Sequence, residues 1–102
     1  MSILNRIPTV DPLAVDGRDR AIPLIDVREP KEWAGGHAPD AVHIPLGKLS
    51  VDALPPGETY YLICGSGNRS GSATKALRKA GIDAVNVAGG MIAWQRVGLP
   101  TV

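Results

Sequence analysis

Short apolar runs alternate with helix-like segments along most of this 102-residue chain, and that rhythm leaves few folds open to it. Leu24-Ile25-Asp26-Val27, entered from Pro23, reads as a strand. Residues 41–45 read as a second short strand, 60–64 as the central one and 84–87 as another. Helical patterns lie between them. Pro30 stands at a first helical position in Glu29-Pro30-Lys31-Glu32-Trp33. Residues 46–54 predict a short helix stopped by Pro55-Pro56-Gly57. From Ser72 to Gly81, Ala73, Ala76, Leu77 and Ala80 share one face, with Lys75, Arg78 and Lys79 off that stripe towards the negative end of the dipole. Met91, Ile92 and Trp94 give a last helix its apolar face, closed by Gly98-Leu99-Pro100. The expected fold is α/β: a small parallel sheet with helices on both faces, one domain over residues 1–102.

In such a sheet the site lies beyond the carboxyl ends of the strands. Cys64 stands at one such end and Asp26-Val27-Arg28 at another. Cys64 is the only cysteine, so an internal disulfide and a dithiol redox pair are both excluded. Gly65-Ser66-Gly67-Asn68-Arg69-Ser70 follows it as a small-residue loop that opens the next helix. Backbone N–H groups and a positive helix end then point towards the sulfur, which favours a thiolate and gathers anions. Gly65 and Gly67 let amides turn inward as a nest, and Arg69 is expected to serve as an anion partner. A buried structural cysteine would need neither the glycines nor the arginine.

Other phosphate-binding loops fit less well. G-x-x-x-x-G-K-[ST] is absent, because the loop carries no lysine. G-x-G-x-x-G starts at Gly65 and Gly67 but meets Ser70 at its third glycine, and Asp83 precedes the next strand where an acidic residue should end it. Two histidines and one cysteine without ligand spacing argue against a metal site, and no cofactor is expected. The net charge of +1, from 11 basic and 10 acidic residues, gives no field for nucleic acid or an anionic membrane as partner. No apolar stretch reaches bilayer length and no signal-peptide core is seen at the start, so the expected location is the cytoplasm, where a lone thiol stays reduced.

Four segments together resemble a single-domain rhodanese, a sulfurtransferase module. Asp26-Val27-Arg28-Glu29 resembles the family's D-x-R-E. Residues 32–45, from Glu32-Trp33 through Gly36-His37-Ala38-Pro39-Asp40 to Ile44-Pro45, resemble E-[WY]-x-x-G-H-I-P-G-A-x-x-I-P. Residues 64–70 resemble the active loop, and Gly89-Gly90 through Trp94 to Gly98-Leu99-Pro100 resembles the terminal G-G-x-x-A-W…G-x-P. Ala38 and Asp40 replace the usual isoleucine and glycine, and Gly65 stands where many members carry a basic or bulky residue.

The resemblance implies that Cys64 is a nucleophile carrying a persulfide, that the amides from Gly65 to Ser70 cradle it and the donor anion, and that Arg69 adds charge. Asp26, Arg28, Glu32 and His37 are then mainly structural. The implied partners are a small anionic sulfur donor such as thiosulfate and a thiol or cyanide acceptor, a protein thiol among them. Such exchange needs a low-pKa thiol and anion stabilisation but no histidine base, which suits a loop without acids or bases. A phosphatase or arsenate reductase on the same fold would place arginine six positions after the cysteine, where this chain has Ser70. The alternative is a non-enzymatic sulfur-carrier or regulatory binding module, though inactive members usually lack the cysteine that this chain keeps.

Overall fold

The computed structural model describes residues 7–102. Its elements in chain order are β1 (Thr9–Val10), α1 (Pro12–Asp16), β2 (Leu24–Asp26), α2 (Pro30–Ala34), β3 (Val42–His43), β4 (Thr59–Ile63), α3 (Asn68–Lys79), β5 (Asp83–Val87) and α4 (Gly90–Arg96). All strand pairs are parallel, in the order β1-β5-β4-β2-β3. β4 is therefore central, and every crossover carries helical or 3₁₀ structure, as parallel pairing demands.

Strand periodicity divides the core into two layers. Tyr60, Leu62 and Cys64 point to one side, where they pack with Ile25, Val27, Ala84 and the α3 residues Ala73 and Leu77. Ile63, Leu24 and Val87 point to the other, against Val15 of α1 and Met91 and Trp94 of α4. Helices thus cover both faces of a small parallel sheet. The same period puts Asn86, between Val85 and Val87, on the Cys64 side.

Three local features depart from expectation. Residues 46–54 form two 3₁₀ turns, Leu46–Lys48 and Val51–Ala53, not one helix. Ser50 breaks them apart by taking an extended backbone and capping the Ala53 N–H with its hydroxyl at 3.2 Å. Secondly, α3 starts at Asn68, four residues before the apolar stripe begins to read as a helix. Gly67 makes this possible: at φ 101° it turns the chain straight from the loop into the helix. Asn68, Arg69 and Ser70 therefore occupy the first helical turn. Lastly, β1 and α1 were not expected. β1 is an edge strand of two residues whose role comes from pairing with Asn86 and Val87. α1 is set by Pro12 and by Asp11, whose side chain accepts from the Ala14 N–H.

Candidate active site

Cys64 follows the last residue of β4 and is fully buried. Its sulfur faces the α3 layer at the floor of a loop that returns at once into the helix. The Gly67 N–H donates to Sγ at 3.1 Å, and the Ser70 hydroxyl lies 3.3 Å from it. Burial alone pushes the thiol up. The Ser70 hydroxyl and the N–H groups of Ser70, Gly67 and Ser66 together outweigh it, so the thiol lies below its ordinary value.

The loop is held in this shape from behind. α4 begins where the loop ends in space: the Met91 N–H donates to the Cys64 carbonyl at 2.8 Å and the Ile92 N–H to the Gly65 carbonyl at 3.0 Å. With these carbonyls drawn towards α4, the following amides face the sulfur. The approach requires Gly90, whose φ is 56° and whose Cβ, if present, would lie 2.6 Å from the Gly65 carbonyl oxygen and collide with that of Cys64.

Asn86 supplies a second brace that sequence reading overlooked. Its Nδ2 donates to the Gly67 carbonyl at 3.1 Å, so its Oδ1 is left to accept from the Ser70 hydroxyl at 2.6 Å. The single Ser70 proton thus has two acceptors, Asn86 Oδ1 and the sulfur. An asparagine at a buried position of a valine-flanked strand was the available signal.

Arg69 and Glu32 form the rim. Arg69 Nη1 and Nη2 bond the two Glu32 carboxylate oxygens at 2.6 and 2.8 Å, a bidentate pair between residues 37 positions apart. The Arg69 hydrogen bonds pull Glu32 down to about 2 against the opposing effect of burial, helped by the Glu29 N–H and by the charges of Arg69 and Arg28. The carboxylate in turn holds the guanidinium above its usual range. Glu32, expected to be structural support, therefore sits at the loop itself. Arg69, expected as an anion partner, pairs with it at the rim, and its charge also acts on the Cys64 sulfur.

The other expected supports stand apart from the sulfur. Arg28 makes a buried ion pair with Asp26 at 2.9 Å and donates to the Gly36 carbonyl at 2.8 Å, tying the end of β2 to the end of α2. The His37 ring stacks on Trp33 with centroids 3.5 Å apart, and His43 stacks at 4.6 Å. His37 Nδ1 donates to the Trp33 carbonyl at 2.8 Å. Among the described residues no group of His, Cys, Asp or Glu is gathered to hold a metal ion, and no helix is long and apolar enough to cross a membrane.

The chain is similar to known proteins in sequence and in fold. The Rhodanese-like domain family matches residues 11–97. A Synechocystis protein, slr1261, is 47% identical over 85 residues, covering 80% of this chain and 48% of its own length. The putative sulfurtransferase YtwF of Bacillus subtilis is 44% identical over 79 residues, 76% of this chain and 77% of that protein. The putative sulfur carrier protein YrkF of the same organism is 40% identical over 79 residues, 74% of this chain and 43% of that protein. The chain thus spans about half the length of the first and third of these relatives. Among solved structures, a rhodanese-related protein from Thermoplasma volcanium superposes with a TM-score of 0.86 at 31% identity, covering 93% of this chain and 97% of that one. With the family's model matching residues 11–97 and a relative 44% identical over 77% of its own length, the chain belongs to the rhodanese-like domain family.

Proposed function

We propose that the protein is a sulfurtransferase that moves sulfane sulfur through a persulfide on Cys64. The observation that carries this reading is a buried thiol whose hydrogen-bond partners among the described residues are the Gly67 N–H and the Ser70 hydroxyl, neither of them a general base. Such a pocket stabilises a sulfur anion and offers nothing to a reaction that needs proton transfer. The Cys64 thiolate attacks the outer sulfur of thiosulfate or of a persulfide. A new S–S bond forms, the donor's S–S bond breaks, and sulfite or a thiolate leaves with the bonding electrons. A thiophilic acceptor, cyanide or a thiol, then attacks the outer sulfur and Cys64 departs as thiolate. Amides of residues 65–70 hold the extra sulfur between the two steps. Naming of relatives as sulfurtransferase and sulfur carrier supports sulfur as the cargo, and a reducing compartment such as the cytoplasm keeps the lone thiol ready for it.

Intact-mass analysis tests the reading. After treatment with a sulfane-sulfur donor, the protein should gain one sulfur atom on Cys64 and lose it to cyanide, with substituted-enzyme kinetics at steady state. Cys64→Ser should fold and neither gain sulfur nor turn over, because a hydroxyl cannot carry the persulfide. Turnover retained in that variant would overturn the assignment.

A further inference from the structure

An apolar groove of about 310 Å³ lies open between α3 and the two 3₁₀ turns. Ala73, Ala76 and Ala80 form its α3 wall, and Leu46, Leu49 and Val51 the facing one. Leu46 is 37% exposed and Val51 45%, so this wall keeps aliphatic surface in water. Ser50 is the one polar side chain in the lining, and its hydroxyl is used on the Ala53 N–H at 3.2 Å. A small-molecule site needs several convergent polar groups to orient its ligand, and this groove lacks them. Its alanines instead leave room for a partner's side chains to pack against the α3 backbone.

Charge around the groove is one-sided. Residues 46–54 and 68–80 hold one acid, Asp52, against the five cations Lys48, Arg69, Lys75, Arg78 and Lys79. Arg69 and Arg78 are in ion pairs, but the three lysines have none among the described residues. Lys48 belongs to the first 3₁₀ turn, Lys79 is the surface neighbour of Ala76 on α3, and Lys75 lies one turn before Lys79. The whole chain's net charge of +1 hides this local excess. The groove also opens at the reactive end of the sheet. Arg69, Ala73, Ala76 and Ala80 follow one another at spacings of four, three and four, on one face of α3. The 1.5 Å rise puts Arg69, at the rim of the Cys64 loop, about 6 Å along the helix from Ala73. On the other wall, the Leu46 N–H donates to the Val27 carbonyl at 3.0 Å, and the Val27 N–H to the carbonyl of Ile63, the residue before Cys64, at 3.0 Å.

Resting on the sulfurtransferase reading, we propose that this groove docks the protein with which Cys64 exchanges sulfur, and that the docked element is an acidic amphipathic helix. Its apolar edge fills the groove, its carboxylates meet Lys48, Lys75 and Lys79, and a cysteine beyond its end reaches the loop. That cysteine's thiolate attacks the outer, protonated sulfur of the Cys64 persulfide. An S–S bond forms to the incoming sulfur, the bond to Cys64 breaks with its electron pair leaving on Cys64, and the proton stays with the transferred sulfur.

Two synthetic peptides of about 20 residues, long enough to be helical, test the groove. Both carry leucines along one face and a terminal cysteine, one with glutamates on the polar face and the other with lysines. Fluorescence anisotropy on the full chain should show the Leu/Glu peptide binding about tenfold or more tightly than the Leu/Lys peptide, with the difference shrinking as salt is added. Ala76→Arg fills the groove while keeping its positive charge. The triple variant Lys48→Glu, Lys75→Glu, Lys79→Glu reverses the charge while keeping the groove. Each should weaken the Leu/Glu peptide about tenfold. Sulfur transfer from loaded Cys64 to the peptide thiol should fall in parallel, while transfer to cyanide, which needs no groove, stays at the wild-type rate. Equal binding of the two peptides, binding of neither, or full binding to Ala76→Arg would overturn the proposal. So would a dimer in solution that Ala76→Arg dissociates, because a second copy would then be the occupant. Peptide binding as expected, on a protein that no sulfane-sulfur donor loads at Cys64, would instead overturn the sulfurtransferase reading beneath it.

Discussion

Ser70 concentrates the chemistry of the site into one proton. Its hydroxyl is fully buried, 2.6 Å from Asn86 Oδ1 and 3.3 Å from Cys64 Sγ. When the sulfur is a thiol, Asn86 takes the proton and the S–H has the serine oxygen as acceptor. When the sulfur is a thiolate, the hydroxyl turns to it. The bond favours the thiolate, so Ser70→Ala should raise the midpoint of the alkylation rate against pH. The sign follows from which form the bond favours: removing a donor from the thiolate moves its formation to higher pH. An unchanged midpoint would mean that the backbone N–H groups of Ser66, Gly67 and Ser70 alone hold the thiol down. At this scale the sequence was partly legible. The lone cysteine, its glycines and its arginine stand within seven positions and announce themselves. Glu32 does not, because nothing in the chain relates it to Arg69 until two helices bring them together. Asn86 escaped because its importance depends on which face of β5 it occupies, and that is settled only by register with β4.

α3 shows how an element can be recognised while its start is misplaced. Ala73, Leu77 and their neighbours mark its buried face. The first turn, Asn68-Arg69-Ser70-Gly71, has no apolar stripe, since its buried side is turned to the sulfur and to Asn86 and not to the hydrophobic core. Helical propensity and periodicity are blind there, and left-handed Gly67 supplies the boundary instead. The 3₁₀ turns were misread for a related reason. Leu49 and Leu54, the residues that close the two turns, pack on the Cys64-side core, while Leu46 and Val51 within them stay exposed, so spacing alone overstated a helix. One turn into α3, Thr74 is fully buried and its hydroxyl has no hydrogen-bond partner among the described residues. A valine has the same branched shape and lacks the unmet polar group. Thr74→Val should therefore stabilise the protein by about 1 kcal/mol in urea denaturation, with an unchanged m-value. A loss of stability would show that the hydroxyl has a role in the folded state.

On the scale of the whole molecule, the loop after Cys64 belongs to two βα units at once. β4 delivers Cys64, and α3 returns from it. Yet the loop's carbonyls are fixed by the start of α4, which β5 positions by lying next to β4 in the sheet. The parallel order that the alternation of strands and helices implied thus matters for function because it sets these two chain turns side by side. Their junction is Gly90. Any side chain there has to overcome a positive φ of 56° and a clash with the Cys64 and Gly65 carbonyls, both of them backbone that cannot swing aside. Gly90→Ala should cost about 2–3 kcal/mol of stability, the sum expected of a strained left-handed residue and a backbone displacement. If α4 recoils from the loop, the Met91 and Ile92 N–H groups release the carbonyls and the amides facing the sulfur lose their aim. The alkylation midpoint of Cys64 should then rise, although position 90 is not among the sulfur's own hydrogen-bond partners. Chemical denaturation and the pH dependence of alkylation, measured on the same preparation, check both halves. A folded Gly90→Ala protein with wild-type stability and an unmoved midpoint would show that the loop keeps its shape without α4, and that the amide nest is a property of the six-residue segment alone.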